Sequence, residues 1–249
     1  MKDYREIFFA KYTACSRLSL GDRGYDAAGY EFADRRFIPL IQEWCRPLDR
    51  TQPCIDLGCG DGSLLHTLGT LGFRNLHGVD VSGEQVEIAR KITPGVVVGD
   101  LCAYLNTFPD DHFCLITLFD VIEHFTKDEI VECVSLIHRK LKPGGVWICH
   151  LPNGDSPFVG SVQFGDFTHE TILGPRSAEN ICILFGFAGF EASEHFGASE
   201  GLRGRLRTLA WQFLRAVLML WNLVETGVVG SRVYTRNFAF KAVKTTPRE

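Results

Sequence analysis

After Pro53 the chain alternates short apolar runs with amphipathic stretches about one helix long. The runs Cys54–Leu57, Leu76–Val79, Val96–Val98, Phe113–Phe119 and Val146–Cys149 read as strands, and the fourth is too hydrophobic to face water on either side. Between them, Ser63–Leu71, Gly83–Ile92 and Lys127–Leu141 carry helical spacing. Ile130, Val134, Ile137 and Leu141 share one face of the last, which Lys142-Pro143-Gly144-Gly145 stops. A helix opened by Pro175 and running to about Phe185, a strand near Phe190–His195 and a final strand near Phe238–Val243 complete the series. Before Pro53 the pattern differs. Tyr4, Ile7, Phe8, Lys11 and Tyr12 recur at three-to-four spacing, as do Phe32, Phe37, Leu40, Ile41 and Trp44. They predict two helices, the second weakened by Pro39, on either side of the glycine- and tyrosine-bearing loop Ser19–Phe32.

Strands alternating with helices at this spacing form parallel βαβ units, so the fold class is α/β, a doubly wound, mostly parallel seven-stranded sheet. The 249 residues suit one domain: an N-terminal helical cap over 1–50, a binding core over 51–155, and the remaining strands, a long loop and a helical insertion over 156–249. Composition adds little beyond exclusions. With 45% hydrophobic and 22% charged residues the chain is not disordered, and a net charge of -4 argues against a protein built to grip nucleic acid. No two of the nine cysteines have the C-x-x-C spacing of a zinc or redox site. Cys54, Cys114, Cys149 and Cys182 lie in apolar stretches and read as buried hydrophobes in a reducing compartment. The start MKDYREIFFAKYT lacks the uninterrupted apolar core of a secretory signal, so the expected location is cytoplasmic.

The chemistry concentrates in Ile55-Asp56-Leu57-Gly58-Cys59-Gly60-Asp61-Gly62. Glycines at alternate positions after a strand let a ligand approach the backbone where doubly wound sheets bind nucleotides. The G-x-G-x-G spacing is neither the dinucleotide fingerprint nor a P-loop. A carboxylate at Asp56 suits a cationic group and would repel a pyrophosphate. Asp80 ends the second strand about 20 residues further on, where an acid accepts hydrogen bonds from a ribose diol.

These residues resemble the class I S-adenosylmethionine-dependent methyltransferases. The glycine loop, Gly78-Val79-Asp80-Val81-Ser82, Gly99-Asp100-Leu101, Phe119-Asp120-Val121-Ile122-Glu123-His124 and Leu141-Lys142-Pro143-Gly144-Gly145 follow that family's order and spacing over about residues 50–155. The wording of the fourth segment is most similar to the small-molecule branch, which includes ubiquinone-biosynthesis and sugar or polysaccharide O-methyltransferases. The resemblance implies a Rossmann-like fold and S-adenosyl-L-methionine as cofactor. It implies that Asp56, Gly58, Gly60 and Gly62 hold the methionine part, that Asp80 holds the ribose and that Val81 lies beside the adenine. Asp100 and Leu101 would receive the adenine, with Phe119 and Asp120 near the methionine end.

Methyl transfer from a sulfonium needs alignment and exclusion of water, plus a base when the acceptor is an alcohol. Histidine suits that task near neutral pH. His169, in the long loop before the Pro175 helix, is the first candidate base, followed by His150 and His124. Each can instead hydrogen-bond loop backbone. Asp155 and Asp166 could orient a histidine or join it on a metal, but the sequence shows no tight ligand cluster, and no metal is expected.

About 40 residues separate the last two strands, and within them Leu206, Leu209, Phe213, Ala216, Val217, Leu220 and Val224 make a helical stripe behind Arg203, Arg205 and Arg207. From Ala198 onward nine Lys/Arg face three Asp/Glu. This segment, 203–224, reads as core or lid, as a peripheral membrane contact, or as a homodimer interface. Arg215 argues against a spanning helix. The expected activity is methyl transfer to a hydroxyl of a small molecule, a sugar or glycolipid intermediate. A quinone-type phenol or lipid-linked ring is the alternative acceptor, and a non-catalytic cofactor-binding subunit is the alternative class.

Overall fold

A computed structural model describes residues 4–9, 38–194 and 201–245. The expected loop Ser19–Phe32, with Tyr25 and Tyr30, lies outside the described residues, as does the chain between Phe9 and residue 38. Helix α1 spans Tyr4–Phe9 and α2 spans 38–44, with Pro39 in its first described turn. Strands β1 Pro53–Leu57, β2 Asn75–Asp80, β3 Val96–Val98, β4 Phe113–Phe119, β5 Leu141–Pro152, β6 Phe187–Glu194 and β7 Asn237–Lys244 form one sheet in the order β3-β2-β1-β4-β5-β7-β6. The first five run parallel. β7 enters between β5 and β6, antiparallel to both.

The connecting helices are α3 Ser63–Thr70, α4 Gly83–Ala89, α5 Leu101–Asn106, α6 Lys127–Lys140, α7 Val159–Gln163 and α8 Pro175–Leu184, with the insertion helix α9 at Gly201–Thr226. Alternate residues of the central strands face opposite layers. Leu115 of β4 packs with Ile41, Trp44, Leu64 and Leu68 of α2 and α3, while Ile116 and Leu118 pack with Leu105, Ile130, Val134 and Ile137 of α5 and α6. Phe113 to Leu118 are buried on both faces, as their unbroken apolar run requires. The Cys45 and Cys182 thiols are buried and desolvation pushes both up to about 12, so they behave as inert apolar groups.

Three expectations are corrected. The second strand-following helix ends at Ala89, not Ile92. The helix before the fifth strand ends at Lys140, and β5 starts at once, because Leu141 already pairs with Phe113. Lys142–Gly145 is therefore an excursion inside a pairing that resumes at Leu115↔Val146, with Gly144 at φ 78, and not a turn ahead of a strand beginning at Val146. The third concerns α9. Of its 26 residues only Gly204 is buried, and Leu206, Leu209, Phe213, Leu220, Trp221 and Val224 are all more than half exposed. Core packing is excluded for that stripe, because both sheet faces are already covered by α2 to α4 on one side and α5, α6 and α8 on the other. No helix among the described residues is long and apolar enough to cross a membrane.

Antiparallel β7 also fixes where α9 leaves the sheet. Asn237 pairs with Pro152 and Phe238 with Glu194, so the end of β6 and the start of β7 share the edge at which the parallel strands finish. Glu194 ties the helix to that edge. Its carboxylate accepts from Trp211 Nε1 at 3.0 Å and from the Tyr234 backbone N–H at 3.1 Å, and pairs with Arg215 at 3.3 Å.

Candidate active site

The loop after β1 bends back over β2: the N–H groups of Gly58 and Cys59 both donate to the Val79 carbonyl, at 2.8 and 3.0 Å. Gly58, at φ 74, lies so close to Val121 that a Cβ there would sit 2.3 Å from a valine methyl. Gly62 (φ 84) has the same relation to Ala89 and Ile92 of the α4 region. Gly60 differs, since a Cβ there would meet nothing within 4 Å. Two glycines therefore serve packing, and the third leaves open space over the loop.

That space belongs to a cavity of about 830 Å³ at the carboxyl ends of β1, β2 and β4. Its wall includes Gly58, Gly60, Asp80, Val81, Asp100, Leu101, Phe119, Asp120 and His124 among the expected residues. Asp80 accepts from the Gly60 N–H at 2.9 Å and the Ser82 N–H at 2.8 Å. Burial raises its carboxyl above the usual value despite those bonds. Val81 is 52% exposed although it follows a buried strand. Asp100 caps α5 through Ala103 N at 2.7 Å and still lines the cavity, so its capping and binding readings are compatible. The open glycine, the half-buried acid, the exposed Val81 and the Leu101 side chain on the wall fit an S-adenosyl nucleoside.

Asp56 and Gly62 are not on the cavity wall. Asp56 is 2% exposed beneath the loop, where Thr117 Oγ1 donates to it at 2.7 Å, and burial pushes its carboxyl up to about 7. The three histidines also separate. His124 lines the cavity. Burial, with the nearby His169 as second cause, lowers its imidazole below the usual value. His150 is fully buried, and its Nδ1 meets Asp120 Oδ1 at 2.8 Å. Asp120 is further held by its N–H to the His150 carbonyl at 2.9 Å and adopts φ 54, a backbone state unusual for a residue with a side chain. His169 does not line the cavity but packs against His124, ring centroids 5.0 Å apart.

Here the structure departs from the expectation that no ligand cluster forms. Glu123, His124 and His169 bring one ligating atom each within 4.8 Å of one another. Sequence reading also missed α1 as part of the wall. Arg5 and Phe9 line the cavity, and Arg5 Nη1 bridges both oxygens of Glu129 at 2.9 and 3.0 Å. Tyr4 bonds Glu170, and Phe8 stacks on Phe167. The alternation of Tyr4 and Phe8 signalled a helix, but nothing in it signalled its partner.

The strand order and the cavity at the strand ends define the class I methyltransferase fold. Residues 55–149 match the methyltransferase domain family, a stretch that includes the glycine loop and β5 as far as Cys149. The chain is 28% identical over 127 residues to the cyclopropane-fatty-acyl-phospholipid synthase of Escherichia coli strain K12, covering 50% of this chain and 32% of that protein. It is 29% identical over 151 residues to the demethylmenaquinone methyltransferase of Symbiobacterium thermophilum, covering 57% of each. It thus spans about a third to just over half the length of these relatives. A SAM-dependent methyltransferase from Archaeoglobus fulgidus superposes with a TM-score of 0.62 at 17% identity, covering 85% of this chain and 94% of that one. Residues 55–149 are thus similar to a methyltransferase domain, and the fold is that of the class I S-adenosylmethionine-dependent methyltransferases.

Proposed function

We propose that the chain transfers a methyl group from S-adenosylmethionine to a hydroxyl of a small molecule presented at a lipid surface, such as a glycolipid intermediate. The observation that carries the cofactor half is the cavity wall: an acid at the end of β2, an open glycine opposite it, and Asp100 and Leu101 beyond. On this reading Asp80 takes the ribose hydroxyls, Val81 and Leu101 flank the adenine, and Asp100 receives its polar edge through the carboxylate oxygen that does not cap α5. Gly58, Gly60, Phe119 and Asp120 face the methionine end. Asp56 acts from below, as an anionic or hydrogen-bonding floor to the loop.

The bound cofactor supplies an activated methyl on sulfur. The protein aligns the acceptor oxygen with it and keeps water out. His124 is the candidate histidine on the cavity wall, and as a neutral imidazole it can accept a hydrogen bond from an acceptor hydroxyl. His150 orients Asp120, and His169 stands behind His124. Arg5, Phe9 and the Arg5–Glu129 pair cover the cavity from α1.

The lipid-surface half draws on α9. α9 carries Arg203, Arg205, Arg207 and Arg215, the last paired with Glu194, and the single acid Glu225, on a helix whose apolar stripe is exposed, a charge balance that complements an anionic lipid layer. The same apolar stripe would serve a homodimer, which lacks a reason for the arginine excess. A quinone-type ring is the second acceptor reading, favoured by the match to a demethylmenaquinone methyltransferase.

The test is calorimetric. S-adenosylmethionine and S-adenosylhomocysteine should bind the full chain, and Asp80→Ala should weaken both by about 1–3 kcal/mol. Unchanged affinity in a folded Asp80→Ala protein removes the ribose role. Labelled methyl transfer to lipid-linked sugars and to quinols then separates the acceptors. Binding with no transfer to any acceptor would favour a non-catalytic cofactor-binding subunit.

A further inference from the structure

Glu123, His124 and His169 meet beside the cavity, and binding the cofactor uses none of them as a set. Two chain segments bring them together. Glu123 and His124 sit in the 3-10 turn Ile122–His124 after β4, and His169 sits in the loop before α8. The segments are pinned to each other, since the N–H groups of Glu170 and Thr171 both donate to the Glu123 carbonyl, at 2.8 and 3.1 Å.

Both imidazoles are oriented in the same way. His124 Nδ1 lies 2.9 Å from Thr168 Oγ1, whose hydroxyl donates to Asp166 Oδ1 at 2.6 Å, and 3.2 Å from the Thr168 carbonyl oxygen, and His169 Nδ1 lies 3.0 Å from the Val162 carbonyl oxygen. A carbonyl only accepts, so each Nδ1 carries the proton and each Nε2 keeps its lone pair. Proteins orient metal-binding histidines by such a bond on the other ring nitrogen. Glu123 supplies the anionic donor. It is 4% exposed, and its Oε2 has no hydrogen-bond partner among the described residues. A buried carboxylate is costly unless it is paired or holds a cation.

We propose that Glu123, His124 and His169 bind a divalent cation of the zinc type, and that the cation's remaining position, on the His124 side, takes an oxygen of the acceptor. Two imidazole nitrogens and one carboxylate suit borderline divalent metals, and three protein ligands leave a position open, as in catalytic sites. His124 is the ligand that lines the cavity, so the open position faces the acceptor. At metal–nitrogen distances of about 2.0–2.1 Å the donor atoms of a tetrahedral site stand about 3.4 Å apart. The trio, within 4.8 Å, therefore draws in on binding. The cation-binding half stands on these residues alone. The acceptor half rests on the methyltransferase reading above, and makes His124 meet the acceptor through the metal and not as a direct base.

The experiment titrates the chelator-treated full chain with cobalt(II) and follows visible d–d absorption, with S-adenosylhomocysteine affinity as a separate readout. One equivalent of cobalt(II) should bind and give visible bands that zinc(II) displaces. His169→Gln and Glu123→Gln should each weaken cobalt(II) by at least about tenfold, while S-adenosylhomocysteine affinity, measured alongside, certifies that the variants fold. Absence of cobalt(II) binding by the wild type, or equal binding and bands in both variants, overturns the site while leaving the cofactor reading standing. Cobalt(II) binding without S-adenosylhomocysteine binding would do the reverse. Where transfer is measurable, inhibition by a chelator and restoration by zinc(II) separate the metal from a metal-free His124 base, which a chelator leaves unaffected.

Discussion

Asp56 and Asp80 end neighbouring strands, yet their carboxyl groups meet different surroundings. Asp80 shares its oxygens with two backbone N–H groups at the cavity wall, whereas Asp56 is sealed beneath the loop with Thr117 as hydrogen-bond donor. Burial raises the Asp56 carboxyl from 3.8 to about 7, so between those values the folded chain holds a proton that the unfolded chain releases. Stability from this group is complete at the acid end of the window and is lost as pH rises toward about 7, at up to about 1.4 kcal/mol per unit. Asp56→Asn, which keeps an oxygen for Thr117, should flatten that slope in urea unfolding measured across the window. An identical slope in the variant would show that Asp56 does not titrate there. The glycine loop and both acids were legible in the sequence because they lie within one strand–loop–strand stretch. The Glu123–His124–His169 cluster was not, because its segments are joined by hydrogen bonds between residues more than 40 positions apart. No periodicity encodes such a bond.

At the scale of elements, the strands and most core helices followed from hydrophobic spacing, whereas α5 was not anticipated and at β5 pairing overrode the local signal. Pro143 and Gly144 read as a stop, but Leu141 had already found Phe113. α9 shows the opposite limit. Its stripe was legible, yet a stripe says only that one face is apolar and not what covers it. With no sheet face left to bury it, its arginines become the informative feature. If α9 meets anionic lipid, the protein should pellet with phosphatidylglycerol vesicles at low salt, stay in solution with neutral vesicles, and detach as salt is raised. Reversing Arg203, Arg205 and Arg207 to Glu should abolish pelleting without changing S-adenosylhomocysteine affinity. Equal pelleting by the triple variant would remove the electrostatic role, and a concentration-dependent doubling of mass without vesicles would favour the homodimer.

At the scale of the whole molecule, the seven-strand order places every candidate binding group on one edge of the sheet. The parallel strands β1, β2 and β4 end there, as does β6, where Glu194 anchors α9, and antiparallel β7 starts from the same edge. If α9 rests on lipid, the acceptor never has to cross bulk water. It reaches the cavity by diffusing in a plane, and the relevant concentration becomes molecules per lipid instead of molecules per litre. Diluting a glycolipid acceptor with inert lipid at constant total acceptor should then slow turnover, whereas adding more vesicles of unchanged composition to an already bound enzyme should not speed it. A rate set by bulk acceptor alone would break the link between helix and cavity. The edge at which β6 ends and β7 begins would thus decide whether the chain meets its acceptor in three dimensions or in two.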